Sequence, residues 1–160
     1  MQDAAASSTQ THWASHNVRR SAKTSKGEPK MVDSAIQRLL EKAIDSPIKL
    51  QLCLLFDENQ RMEGNAAELA NRIYRDIWST REALRELAED GVLCVSDIAG
   101  ESIYRYRPRA EYVDAIFRLA QSYNEPIERD AIQRALREVA SYARYRRAAP
   151  GGAAFEMQSM

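Results

Sequence analysis

Arg81 and Arg85, four residues apart, and a second set at Arg105, Arg107 and Arg109 are the side chains of this sequence best suited to chemistry. On a helix, a spacing of four puts two guanidiniums on one face. Each guanidinium is a planar fork that matches a phosphate or a guanine edge. Ser79 and Thr80 stand just ahead, with hydroxyls that could donate to phosphate at a helix start. On a strand, Arg105 and Arg107 would share one side and Tyr104 and Tyr106 the other. The competing reading of Arg81 and Arg85 is a solvated helix face paired with Glu82, Glu86 and Glu89. For the later arginines it is a plain solvated strand face. Trp78 fits two roles: exposed for stacking or a protein interface, or folded back over Leu84 or the strands.

Other chemistry lacks its residues. The sequence contains no GxGxxG, P-loop, HExxH or paired-cysteine spacing. His12 and His16 are four apart, but they have no third ligand and no helical pattern around them. Both histidines precede the folded part, so no histidine-based catalytic site is expected in it. Cys53 and Cys94 sit in apolar surroundings, which suits buried, reduced thiols of an intracellular chain. We expect no enzyme activity, no cofactor and no metal. The longest apolar run, Leu52 to Phe56, is far short of the roughly 20 residues of a membrane helix. With no apolar signal segment at the start, a cytoplasmic location is expected.

The chain has 160 residues, 44% apolar and 29% charged, as in an ordinary globular domain with tails. Its 23 basic and 23 acidic residues cancel. That balance excludes a strongly basic coat protein and a chain disordered by net charge. The zero is uneven. Residues 1–30 hold five basic and two acidic side chains, residues 31–124 hold 12 and 16, and residues 125–160 hold six and five. Residues 1–30 are rich in Ala, Ser, Thr and Gln without periodicity and read as a disordered basic tail. A second flexible tail is expected over 148–160, after Pro150-Gly151-Gly152.

Between the tails, helical spacing runs over Ser34–Ile44. Ser46-Pro47 is a helix start, and the helix it opens is apolar on nearly all sides. Asn65 and Glu68 form a capping box for the next helix. After a break at Tyr74-Arg75-Asp76, a third helix starts at Asp76 or Ser79 and ends before Gly91. In this helix residues 77, 78, 81, 82 and 85 face out, and Ala83, Leu84 and Leu87 face the core. The period then falls to two: Val92–Val95, a turn over Ile98–Glu101, and Ser102–Arg107 make a hairpin that Pro108 ends. Two more helices follow, Ala110–Tyr123 and Ile127–Tyr145. The fold class is mainly α with a small β-hairpin.

Leu69–Ile73 followed by Ser79–Leu87 and then Ala88-Glu89-Asp90-Gly91-Val92-Leu93 resembles the winged helix-turn-helix of transcriptional regulators. The likeness covers about residues 46–108. Arg81–Arg85 is similar to the corresponding helix of GntR-type repressors, and the flanking helices are similar to those of MarR- and PadR-type regulators; no subfamily is assigned. The resemblance implies a winged helix-turn-helix with additional N- and C-terminal helices: a winged domain over 31–109 and C-terminal helices over 110–147. It implies sequence-specific binding of double-stranded DNA, with helix 77–90 in the major groove and wing 92–108 on the flanking backbone. The residues so implied are Arg75, Trp78, Ser79, Thr80, Arg81, Arg85, Arg105, Arg107 and Arg109. A homodimer is expected through the C-terminal helices, because the long apolar stripe of the last one has little of its own domain left to cover.

Three departures from the family pattern stand out. Tyr74 stands where Gly is usual, Arg75 where a small apolar residue tucks under the helices, and Ile77-Trp78 where polar base-reading residues are common. Together with the acidic middle segment, they support a second expectation, a winged-helix protein-interaction subunit with a protein partner and no DNA. Glu101, at the wing tip, would also hinder phosphate contact.

Overall fold

The computed structural model describes residues 31–148. The two expected tails, with His12 and His16, lie outside them, except that the last helix continues to Ala148. Among the described residues, six helices and three strands follow in the order α1 (Ser34–Lys42), α2 (Pro47–Glu58), β1 (Glu63–Gly64), α3 (Ala66–Ile73), α4 (Ile77–Glu89), β2 (Leu93–Ile98), β3 (Glu101–Tyr106), α5 (Ala110–Asn124) and α6 (Pro126–Ala148). The fold is therefore mainly helical with a small antiparallel sheet.

Each helix start has a local cause. The side chain of Asp33 accepts from the Ala35 amide at 2.7 Å and caps α1. Ser46 caps α2 by accepting from Lys49 N, and Pro47 takes the first helical position, where a missing N–H costs nothing. At α3, Asn65 accepts from Glu68 N at 2.9 Å while Glu68 accepts from Asn65 N at 3.0 Å. Asp76, rather than Ser79, caps α4, accepting from Ser79 N at 2.8 Å. The end of α4 is closed by two bonds, Val92 N to Leu87 O at 2.9 Å and Gly91 N to Ala88 O at 3.2 Å. That pattern needs a left-handed residue, and Gly91 (φ 86°) supplies it.

The sheet has the order β1-β3-β2, all antiparallel. The hairpin reaches three residues further than the expected Val92–Val95. Ile98 pairs with Glu101, so the turn is only Ala99-Gly100. Both turn residues have positive φ, 52° and 83°, as the twist of a two-residue hairpin loop demands. Strand β1 was not expected. It pairs Glu63 with Arg105 and Gly64 with Tyr104.

One buried cluster joins α1 through α6: Leu39 and Leu40, Leu52 and Phe56, Leu69, Leu84 and Leu87, Val92, Ile116 and Leu119, Ile132 and Leu136. Helices α1, α5 and α6 pack on one another, and α5 also packs on α2. The α6 stripe of Ala131, Ile132, Leu136 and Val139 is thus buried within its own chain. This corrects the ground for expecting a dimer, because no partner helix is needed to cover that stripe. No helix among the described residues is long and apolar enough to cross a membrane.

A charged group sits inside this core. Lys49 of α2 is fully buried, and its Nζ lies 2.9 Å from Asp45, 2.7 Å from Glu86 and 3.6 Å from Asp90. Asp45 precedes α2, Glu86 belongs to α4 and Asp90 follows it, so one ammonium ties the two helices together. Burial holds the Asp90 carboxyl above its ordinary range; Lys49 pulls it down, and Asp45 pushes it up. Lys49→Met should lower stability by about 3–5 kcal/mol near neutral pH, because three carboxylates then lose their shared cation. Urea denaturation would show the deficit shrinking as the pH falls and the carboxylates take up protons. A group whose folded pKa is raised weakens the fold as pH climbs from its unfolded value through its folded one. Asp90→Asn should therefore gain on the wild type as the pH rises through that window, and a parallel pair of stability curves would contradict the raised carboxyl.

Candidate nucleic-acid interface

Helix α4 has two faces. Ala83, Leu84 and Leu87 point into the core, and Trp78, Arg81, Glu82, Arg85 and Glu89 point out, as the spacing requires. Ile77 is half-buried. Trp78 is 73% exposed and does not fold back over Leu84. The Arg81 guanidinium carbon lies over its ring, 5.2 Å from the centroid.

The structure separates the nine expected contact residues. Thr80 is a correction: it is fully buried, and its hydroxyl donates to Asp76 O at 2.7 Å, closing the first turn of α4. Ser79 is exposed, but its amide and its hydroxyl both bond Asp76, whose carboxyl they hold below its ordinary value. Arg85 is exposed and clamped between Glu82 and Glu89, and these carboxylates, Glu82 first, push its pKa up. Arg75 is exposed and reaches back to α2, donating to Gln51 Oε1 at 3.0 Å.

The later arginines gather at and beyond the base of the hairpin. Arg105 is ion-paired with Glu63 across the β1–β3 ladder. Arg107 lies past the end of β3, at the base of the hairpin, where its amide donates to Val92 O. Arg109 precedes α5, and its side chain lies against Gly91, beyond the C-terminal end of α4 and so opposite Trp78. The tip carries no arginine. There Glu101 accepts from Asn65 Nδ2 at 3.2 Å, drawing the hairpin onto the start of α3.

Tyr104 of β3 is buried and lines a cleft together with residues of α4. Burial raises its pKa, and Arg81 and Arg85 oppose that rise. A cleft of about 550 Å³ runs here, lined by Arg81, Arg85, Ala88, Val95, Ser102 and Tyr104 among others. Tyr106 anchors the hairpin base to α2 by stacking on Phe56 (6.4 Å between centroids) and donating to Asp57 at 3.1 Å. Cys53 is buried, and burial pushes its thiol up to about 12, so it is no nucleophile. No group of three or more His, Cys, Asp or Glu among the described residues is placed to hold a metal.

The turn between α3 and α4 holds a feature the residue types signalled. Tyr74 takes the left-handed conformation (φ 54°, ψ 47°) that a Gly would ordinarily supply. Arg75 N bonds Ala70 O and Tyr74 N bonds Asn71 O, so the turn geometry is complete despite the bulky residue. The Tyr74 ring is 93% exposed. No protein-family model, curated protein or solved structure matches the chain. Because Tyr74 gains little packing and bears a left-handed backbone, Tyr74→Gly should raise stability by about 1 kcal/mol. Thermal melting would check this; an unchanged or lower midpoint would show that the ring makes a stabilising contact.

Proposed function

We propose that this protein is a winged helix-turn-helix that binds double-stranded DNA in a sequence-specific manner and regulates transcription. Helix α3, the turn at Tyr74 and helix α4 are its helix-turn-helix, and β2 and β3 are its wing. The observation that carries the reading is the outward face of α4. A 13-residue helix, fixed from behind by Lys49 and by its apolar stripe, presents Trp78 and Arg81 to solvent in the N-terminal half that would enter the major groove, with Arg85 one turn further on.

The acids on this face set how DNA would be held. Exposed ion pairs are worth at most about 1 kcal/mol each, so a phosphate could take Arg85 from Glu82 and Glu89 at small cost. Glu82, Glu89, Asp97 and Glu101 still repel the backbone, so affinity must come from a few local contacts rather than from a broad positive field. The wing adds Arg107 at its base and little at its tip.

A second reading, a protein-interaction subunit, is favoured by the exposed Tyr74 and Trp78 rings. Binding of the full chain to random duplex DNA across a salt series separates the two. The DNA reading predicts retention at low salt that weakens as salt rises. It also predicts that Arg81→Ala loses about 1–3 kcal/mol on a selected site. No retention at low salt would remove the DNA reading and leave the interaction reading.

A further inference from the structure

Arg81 and Trp78 differ from every other candidate contact on this face. Arg85 has its fork filled by Glu82 and Glu89, Arg105 by Glu63, and Arg75 is bonded to Gln51. The Arg81 guanidinium instead rests on the Trp78 ring at 5.2 Å. A guanidinium stacked on an aromatic ring keeps its N–H edges free to point outward. Stacking also restricts a long side chain before any ligand arrives, which lowers the ordering cost of a bidentate contact. Both residues stand on the outward face of the first turns of α4, three apart, with Trp78 mostly exposed.

We infer that Trp78 and Arg81 act as one reading unit for a guanine flanked by a thymine. The inference rests on the DNA reading given above. The Arg81 fork donates to O6 and N7 of guanine, the acceptors that identify that base in the major groove. The indole edge beside it packs on the C5-methyl of the neighbouring thymine, the apolar group on that groove's base edges. Trp78 is then both a direct contact and the positioning residue for Arg81, and Arg85 is not a specificity determinant.

Selection of the full chain on a random duplex library, followed by sequencing, tests this. The wild type should recover a motif holding a guanine next to a thymine. Arg81→Ala should flatten the preference at the guanine alone, by roughly tenfold or more. Trp78→Ala should flatten both positions, since the indole contacts one base and positions the reader of the other. Trp78→Phe should keep most of both. Replacing that thymine by uracil, which removes only the methyl, should weaken the wild type severalfold and Trp78→Ala no further. A wild-type motif that survives Trp78→Ala at full strength overturns the reading unit while DNA binding stands. A wild-type protein that retains no duplex at low salt overturns both.

Discussion

The buried ammonium of Lys49 is the constraint on which the placement of α4 depends. An unpaired charge in a core costs several kcal/mol, so Lys49 is tolerated only where carboxylates meet it. Asp45 meets it from just before its own helix, and Glu86 meets it from α4 at 2.7 Å. Apolar side chains between two helices can settle in several registers with similar energy; a lysine that must reach Glu86 accepts one. The same contact fixes which face of α4 turns outward, since Glu86 lies on the side of Leu87 and Ala83, away from Trp78 and Arg81. Asp90 completes the site with a less favourable contact. Its Oδ2 has no hydrogen-bond partner among the described residues and stands 3.6 Å from the ammonium.

From that constraint the outer surface follows. Helix α4 is held by its back, and the hairpin is held at three places: Tyr106 on Phe56 and Asp57, Arg105 on Glu63, and Glu101 on Asn65. Of the hairpin arginines, Arg105 is taken up by Glu63 of β1. What is left for a ligand is the first half of α4 and the cleft beside Tyr104. The zero net charge of the chain thus coexists with a local basic and aromatic site, because neighbouring acids neutralise the basic groups elsewhere on the face.

Much of the fold is legible in the residues because its signals are local. Ser46-Pro47, Asn65 with Glu68, and Gly91 each act within one helical turn, and the structure uses all of them as caps. The two faces of α4 follow from a period of 3.6 in the same way. What spacing alone does not show is long-range or compensated. Lys49 looks like a solvent-facing break in an apolar helix until Glu86, 37 positions on, comes to meet it. Strand β1 is two residues long, and its Gly64 is buried so closely that an added Cβ would lie 3.1 Å from the Glu68 carboxylate. Thr80 has the side chain of a phosphate contact, but its hydroxyl donates to the Asp76 carbonyl one turn back, which lets it be buried. The spacing of the α6 stripe does not show that α1, distant in sequence, lies beneath it.

On the proposed reading, duplex DNA is held on the outward face of α4, which Lys49 fixes. Nuclear magnetic resonance tests it most directly, by following the backbone amides and the Trp78 indole of the full chain as a duplex is added. The account predicts shifts gathered on Trp78 to Arg85 and on the strand residues around Ser102 and Tyr104, with the Val113 and Phe117 face of α5 unmoved. Shifts centred on α5 and α6, with α4 silent, would contradict it.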